Sequence, residues 1–563
     1  MNPSDFFNTS KTWKSYQEKE IETALLEVKK ETSTPLMKLI EEFLILDQTI
    51  YKMQNYTLAK ELSSKLLARV SEKENPILFA HTLLVDGEIE RFTGQLVSAK
   101  EKIEKSKTIF ENQSDSYEFG TLLANRKLTT VYYNLGDYKT AKKYCKTGLN
   151  LISNKKKYVI IYLELLNNLA IISQDQGHMQ KSLKILDEAF NLANQEQKFR
   201  IATILANNLA DLTIKLGEYK KAKKYLAIGM ENAKKRDYKE SICYLYENSS
   251  ILYSYQGKFK EAEKYFDLGI SLSKKYAKFL HPMFLSSQAM HYRRKGNYAE
   301  AIKIFRKSIS SYCENNIENM YYIQTLCSFA DLLGIVKKYE EAYANLAKAK
   351  SLARKKEALG DKLLIDLVFA RIQLIKGDFI SANYLLADVI DQCNEEIDYH
   401  FIVECKLSQV EGHILHYQNS QKVGSIQSAK EILDEIILMG EKKHLLPDLI
   451  HAKFLQAVLM ATNPENTKNA VKELKSTIYS AKSSGITKYE RFGEIIVEDL
   501  ERKEYNDREL MDLFMNHFNS MSYRTTLSNE EKKFINQIGM ILISQSDYGP
   551  EISKSHNRPE EFR

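Results

Sequence analysis

The stretch "LNNLAIISQDQGHMQKSLKILDEAFNLA", residues 166–193, is followed by "ANNLADLTIKLGEYKKAKKYLAIGMENA" at 206–233 and by "YENSSILYSYQGKFKEAEKYFDLGISLS" at 246–273. A pattern that returns every forty residues marks a repeat architecture. It displaces the three or four domains that a 563-residue chain otherwise suggests. Working outward, the alignment rests on one small residue per unit: Ala59, Ala99, Ala141, Ser182, Ala222, Ala262, Ala301, Ala342, Ala382, Ala429 and Ala470. The spacings run from 39 to 42, except for 47 between Ala382 and Ala429, and they define eleven units.

Five positions before most of these small residues stands a glycine: Gly94, Gly136, Gly177, Gly217, Gly257, Gly296, Gly377 and Gly424. Two positions beyond it an aromatic often follows, as in Tyr138, Tyr219, Phe259, Tyr298 and Phe379. Seven positions before the glycine position a second small residue recurs, at Ala170, Ala210, Ser250, Ala289, Ala330 and Ala370. Apolar residues at helical spacing surround both. Each unit therefore reads as two antiparallel helices, the glycine ending the first in a left-handed conformation and the small residues letting the axes approach. One pair cannot bury its apolar face alone, so neighbours stack into a continuous core. The expected fold is an all-α, right-handed alpha-solenoid of about eleven helix pairs.

These units resemble tetratricopeptide repeats. The family's order of small residue, Gly-x-aromatic and alanine is matched by "NLADLTIKLGEYKKAKKYL" and "YSYQGKFKEAEKYF". The period of forty is similar to the longer-helix forms found in kinesin light chains, MalT-like regulators and Rap-type peptide sensors, and the proline that often closes a family repeat is missing throughout. The array spans 34–484, after an N-terminal helical segment in 1–33. Residues 485–548 are expected to be capping helices and 549–563 a disordered tail. The long spacing at repeat ten, around "HYQNSQKVG", reads as a polar surface loop.

Composition agrees with a helical protein: 44% hydrophobic residues, 28% charged, and only 8 prolines and 21 glycines. The net charge of +7 is spread over 81 basic and 74 acidic residues, far from the concentrated basic footprint of a nucleic-acid binder. No signal peptide or membrane-spanning run is apparent, and the six cysteines show no Cys-x-x-Cys pair, so a soluble, cytoplasmic protein is expected. No phosphate-cradling, nucleophile-elbow or zinc-protease motif is present. Neither enzymatic activity nor a cofactor or metal is expected. His413 and His416 lie one helical turn apart near Glu411, but a zinc site needs three or four assembled ligands.

The sharpest functional signal is a set of asparagines. Asn167 with Asn168, Asn207 with Asn208, and Asn248 fall at matching places in three consecutive first helices. Asparagine is a poor residue for a helix interior, so its recurrence needs a reason. An amide offers both a donor and an acceptor, which suits the backbone of an extended peptide, and in similar repeats such asparagines bind peptides. The alternative is that the amides bond neighbouring helices and hold the stack together. Tyr244 lies beside them. Arg293 and Arg294 end a first helix, where they either face solvent and complement its dipole or hold an acidic segment. The surrounding inner positions mix Arg126, Lys127, Lys215 and Arg371 with Glu164, Asp175, Asp211, Glu247 and Asp331. The expected function is a protein-interaction scaffold that holds a peptide or partner helix in its concave groove, with no nucleic acid and no membrane involved. A peptide-responsive regulator is the alternative.

Overall fold

The structure, a computed structural model, describes Phe7, residues 10–484 apart from short turn and linker stretches, and Val497. The capping helices expected in 485–548 and the tail after them lie outside the described residues, Val497 excepted. Every regular element described is helical. Two short helices, α1 (Lys11–Gln17) and α2 (Ile21–Val28), come first. Eleven pairs follow: α3 (Pro35–Tyr51) with α4 (Tyr56–Leu67), α5 (Pro76–Thr93) with α6 (Leu96–Glu111), α7 (Glu118–Asn134) with α8 (Tyr138–Leu151), and α9 (Val159–Asp175) with α10 (Met179–Gln195). Next are α11 (Phe199–Lys215) with α12 (Tyr219–Lys235), α13 (Lys239–Tyr255) with α14 (Phe259–Tyr276), α15 (His281–Arg294) with α16 (Tyr298–Glu314), and α17 (Met320–Ile335) with α18 (Tyr339–Lys356). The last are α19 (Leu359–Lys376) with α20 (Phe379–Gln392), α21 (Tyr399–Ser420) with α22 (Val423–Lys443), and α23 (Leu446–Met460) with α24 (Thr467–Ser484).

The small residues do what their spacing implies. All eleven on the second helices, from Ala59 to Ala470, have no solvent exposure, and the same holds for Ala170, Ala210, Ser250, Ala289, Ala330 and Ala370 on the first helices. The turn between the helices is built from two adjacent positions. Gly94, Gly136 and Gly377 take φ values of 89°, 80° and 89°, which a residue with a Cβ adopts only at a cost. The next residue then caps the second helix: Asp137 accepts from the Thr140 amide at 2.9 Å, Asn297 from Glu300 at 3.2 Å and Asp378 from Ser381 at 3.2 Å. Repeat eight has no glycine there, yet Lys337 holds the same left-handed conformation at φ 61°.

In place of a closing proline, the second helices α10 and α12 end on Gln197 (φ 54°) and Asp237 (φ 58°). Each is followed by a bond back across the last turn, Lys198 N to Ala193 O at 2.8 Å and Tyr238 N to Ala233 O at 2.9 Å, the 6→1 geometry of a Schellman cap. Repeat ten departs from expectation. The additional residues lengthen the helices instead of forming a loop: α21 has 22 residues and α22 has 21, and Gly424 lies inside the first turn of α22. No glycine occurs after Gly412 to stop α21 where the other first helices stop.

From α3 to α21 consecutive first helices touch one another, and no comparably close contact joins consecutive second helices among the described residues. First helices thus line the inner, concave side, and second helices the outer. No helix among the described residues is long and apolar enough to cross a membrane.

Candidate functional site

The inner face carries a polar ladder. From α5 to α21 every first helix is tied to the next by at least one side-chain pair, with partners about one repeat apart in sequence. Glu88 of α5 pairs with Lys127 of α7, and Arg126 of α7 with Glu164 of α9 at 3.2 Å. Asn208 of α11 donates to Asn167 Oδ1 of α9 at 2.6 Å. Asn248 of α13 donates to Asn207 Oδ1 of α11 at 3.0 Å and more weakly to its backbone oxygen at 3.3 Å. Ser287 of α15 donates to Glu247 of α13 at 2.9 Å. Arg293 of α15 donates to Asp331 of α17 at 2.5 Å. Asp331 also pairs with Arg371 of α19 at 3.4 Å, and Arg371 donates to Glu404 of α21 at 2.9 Å.

The asparagines form the middle rungs of this ladder, and each rung uses only half of each amide. Among the described residues, Asn167 and Asn207 accept through Oδ1 while their Nδ2 groups have no acceptor, and Asn208 and Asn248 donate while their Oδ1 atoms have no donor. Asn168 makes no side-chain hydrogen bond among the described residues, and its Nδ2 is buried there without a partner. The amides therefore hold the stack and keep donors and acceptors in reserve on the same face. Which atom is oxygen and which nitrogen follows from this bonding network.

Beside them, α13 presents Glu240, Tyr244 and Glu247 at i, i+4 and i+7, one stripe of the helix. Burial pushes the Tyr244 hydroxyl well above its ordinary pKa, helped by the charges of Glu240 and Glu247 and by Tyr321. Burial also raises Glu247 to about 7: the Ser287 hydroxyl bond opposes this and the nearby Asp211 adds to it. Glu247 is 9% exposed and, among the described residues, has no cation in salt-bridge contact. Ile204 of α11 and Tyr321 of α17, 38% and 42% exposed, add open apolar and aromatic surface.

Arg293 is not at the solvent. It is 5% exposed and committed to Asp331, because α17 brings a carboxylate against the last turn of α15. Burial raises the Asp331 carboxyl, and the Arg371 and Arg293 guanidiniums overcome that and hold it below its ordinary value. Arg294 ends α15, and its side chain lies outside the described residues. Of the mixed charges in the sequence, Arg126, Lys127, Glu164, Glu247, Asp331 and Arg371 are ladder members, whereas Lys215 and Asp211 pair within one helix at 3.2 Å. No three His, Cys, Asp or Glu side chains converge as a metal site among the described residues, and His416 meets Ser425 at 3.2 Å.

Two tetratricopeptide-repeat models match the sequence, over residues 244–276 and 285–312. No curated protein matches it. Among solved structures it is similar to a Rap protein complexed with Competence and Sporulation Factor, at 14% identity over 63% of this chain and 96% of that one, with a TM-score of 0.46. It is similar also to aspartyl phosphate phosphatase F from Bacillus subtilis, at 15% over 62% and 96%, with a TM-score of 0.40. The apo form of the quorum sensor NprR from B. thuringiensis is a third, at 14% over 60% and 98%, again 0.40. Scores of this size say nothing about what the present chain binds.

Proposed function

The chain is a tetratricopeptide-repeat protein, and from that premise we propose that it is an interaction scaffold or adaptor whose inner groove holds an extended peptide or a partner helix. One observation carries the reading: the half-used amides of Asn167, Asn207, Asn208 and Asn248, with Asn168 next to them in sequence, put spare donors and acceptors in a row on the concave face. A row of alternating donors and acceptors suits a peptide backbone, whose own N–H and C=O groups repeat in the same sense. Tyr244, Ile204 and Tyr321 supply the adjoining surface for side chains. Arg293 and Arg294 enter this reading only as the far edge of the groove.

A regulator that responds to a peptide is the second reading, and the ladder itself favours it. A ligand that bridges two rungs acts on the spacing of two repeats, so binding and curvature are coupled. A random-peptide display selection against the full chain tests the binding surface. Selected peptides should bind Asn168→Ala and Tyr244→Ala chains more weakly, each lost hydrogen bond costing about 0.5–1.5 kcal/mol. Equal binding to native and variant chains would move the ligand off this face.

A further inference from the structure

Helix α1 lies across the inner side of the first repeats. Trp13 packs tilted against Phe43 of α3 and edge-on to His81 of α5, with ring centroids 5.9 and 4.9 Å away, and its Nε1 donates to the hydroxyl of Tyr117, just before α7, at 2.5 Å. Tyr16 packs on Phe43 at 5.4 Å and on Phe119 of α7 at 6.4 Å, and burial together with the charge of Asp47 of α3 raises its hydroxyl well above the ordinary pKa. Phe7 closes the group edge-on to Trp13 at 4.8 Å. Helical arithmetic places these contacts on the ladder stripe: His81 precedes Glu88 by two turns on α5, and Phe119 precedes Arg126 by two turns on α7.

The segment is held as a ligand is held. Phe7 and Trp13 are each 1% exposed and Tyr16 8%. Ser10 caps the helix by accepting the Trp13 amide at 3.0 Å. Lys11 and Ser15 reach Glu27 of α2 at 3.2 and 3.1 Å. Seven residues are about half the length at which a helix is even marginally stable alone in water, roughly 12–15, so α1 is helical because the groove orders it. Beneath it, His81 is wholly buried, and its Nδ1 has no hydrogen-bond partner among the described residues, a polar group that the docked helix covers without satisfying.

We propose that Phe7 and residues 10–17 are a resident ligand of the groove over α3, α5 and α7, and that this stretch of groove is a second docking surface, for short helical segments anchored by tryptophan and tyrosine, closed while α1 occupies it. The assignment is independent of what the asparagine rungs bind. It sets where the groove can open: Tyr16 packs on Phe119, two turns before Arg126 on α7, so the docked segment lies on the N-terminal side of the Arg126–Glu164 rung.

Trp13 is the sole tryptophan, so it reports on its own docking. Full-length Trp13→Ala and Trp13→Phe chains contain no tryptophan; the first loses the anchor and the second keeps an aromatic ring in the site. A synthetic peptide of residues 4–20, with the native tryptophan, is titrated into each and followed by its emission. The expected result is saturable, blue-shifted binding to the Trp13→Ala chain at least tenfold tighter than to the Trp13→Phe chain. Absence of binding to the alanine chain, or equal binding to both, overturns the proposal. On the native chain, amides 11–17 should exchange with solvent at least a hundredfold faster than those of α5 and α7. Equal protection would make α1 a fixed part of the core and overturn it as well.

Discussion

Asn207→Ala and Asn168→Ala make the same chemical change on adjacent first helices, and the ladder assigns them opposite effects. Asn207 supplies the Oδ1 that accepts from Asn248 at 3.0 Å. Asn248 is 8% exposed, so its amide cannot turn freely to water when that acceptor goes. An unsatisfied buried donor costs about 1–3 kcal/mol. The backbone oxygen of Asn207, already at 3.3 Å, keeps the cost to about 1.5 kcal/mol, and the better helix propensity of alanine returns about 0.5 kcal/mol. The net loss for Asn207→Ala is about 1 kcal/mol. Asn168 gives up no side-chain hydrogen bond and takes with it a buried donor that lacks a partner. Its replacement should gain about 0.5–1 kcal/mol. In a repeat array stability is local, so amide hydrogen exchange across α9 to α13 is the suitable assay. The two variants should differ by roughly 2 kcal/mol, close to thirtyfold in the opening equilibrium of those helices. Shifts of the same sign would refute the ladder as an energetic unit.

Lys337→Gly should raise the melting temperature, since a left-handed residue with a side chain costs about 1–2 kcal/mol; a lower value would show that the lysine makes up for its strain. Arg293→Ala leaves Asp331, 3% exposed, with Arg371 alone and should cost about 3 kcal/mol near neutral pH. Because the Asp331 carboxyl is held below its ordinary value, that contribution is present above the unfolded pKa and fades as pH falls through the folded one. Melting curves of native and variant chains should therefore converge in acid, and a constant gap would contradict the pairing. Glu247 is raised to about 7, so it weakens the folded state increasingly as pH rises from its unfolded value through 7, by about 3 kcal/mol at the plateau. Glu247→Gln should melt higher than the native chain at pH 8 and close to it at pH 4; the same difference at both would rule out titration of this carboxyl.

The architecture was legible because its signals are local and rare. Alanine recurring every forty residues has one cheap explanation, helix axes in close approach, and all eleven positions are fully buried. Glycine marks the turn for the same reason, although Lys337 shows that the conformation persists where the marker is lost. The spacing of 47 at repeat ten does not say where the additional residues go: a loop and longer helices fit it equally, and here α21 continues to Ser420 while Gly424 falls in the next helix. At the candidate site, asparagine stood out because helices disfavour it. Glu88, Lys127 and Arg126 did not, because such residues are ordinary on any helix surface. Only their partners one repeat away distinguish them, as Asp331 does for Arg293. The Trp13–Tyr117 contact, 104 residues apart, has no local signature at all.

The ladder also bears on how such a chain can change length in evolution. Both asparagine rungs join residues 41 positions apart, and the pattern repeats in blocks of forty. A tandem duplication of residues 166–205 inserts a whole block, "LNNLA" included, and its new asparagines meet the old ones in the register already used. The copy would arrive with its own rung and lengthen the groove by one repeat, while every other rung keeps its partner. Deletion of the same block would join Leu165 to Ala206 and put Asn207 and Asn208 where Asn167 and Asn168 stood, so the Arg126–Glu164 and Asn207–Asn248 rungs would both keep their partners. Groove length is therefore a property that recombination can alter in whole steps, with the chemistry of each step carried inside the inserted block.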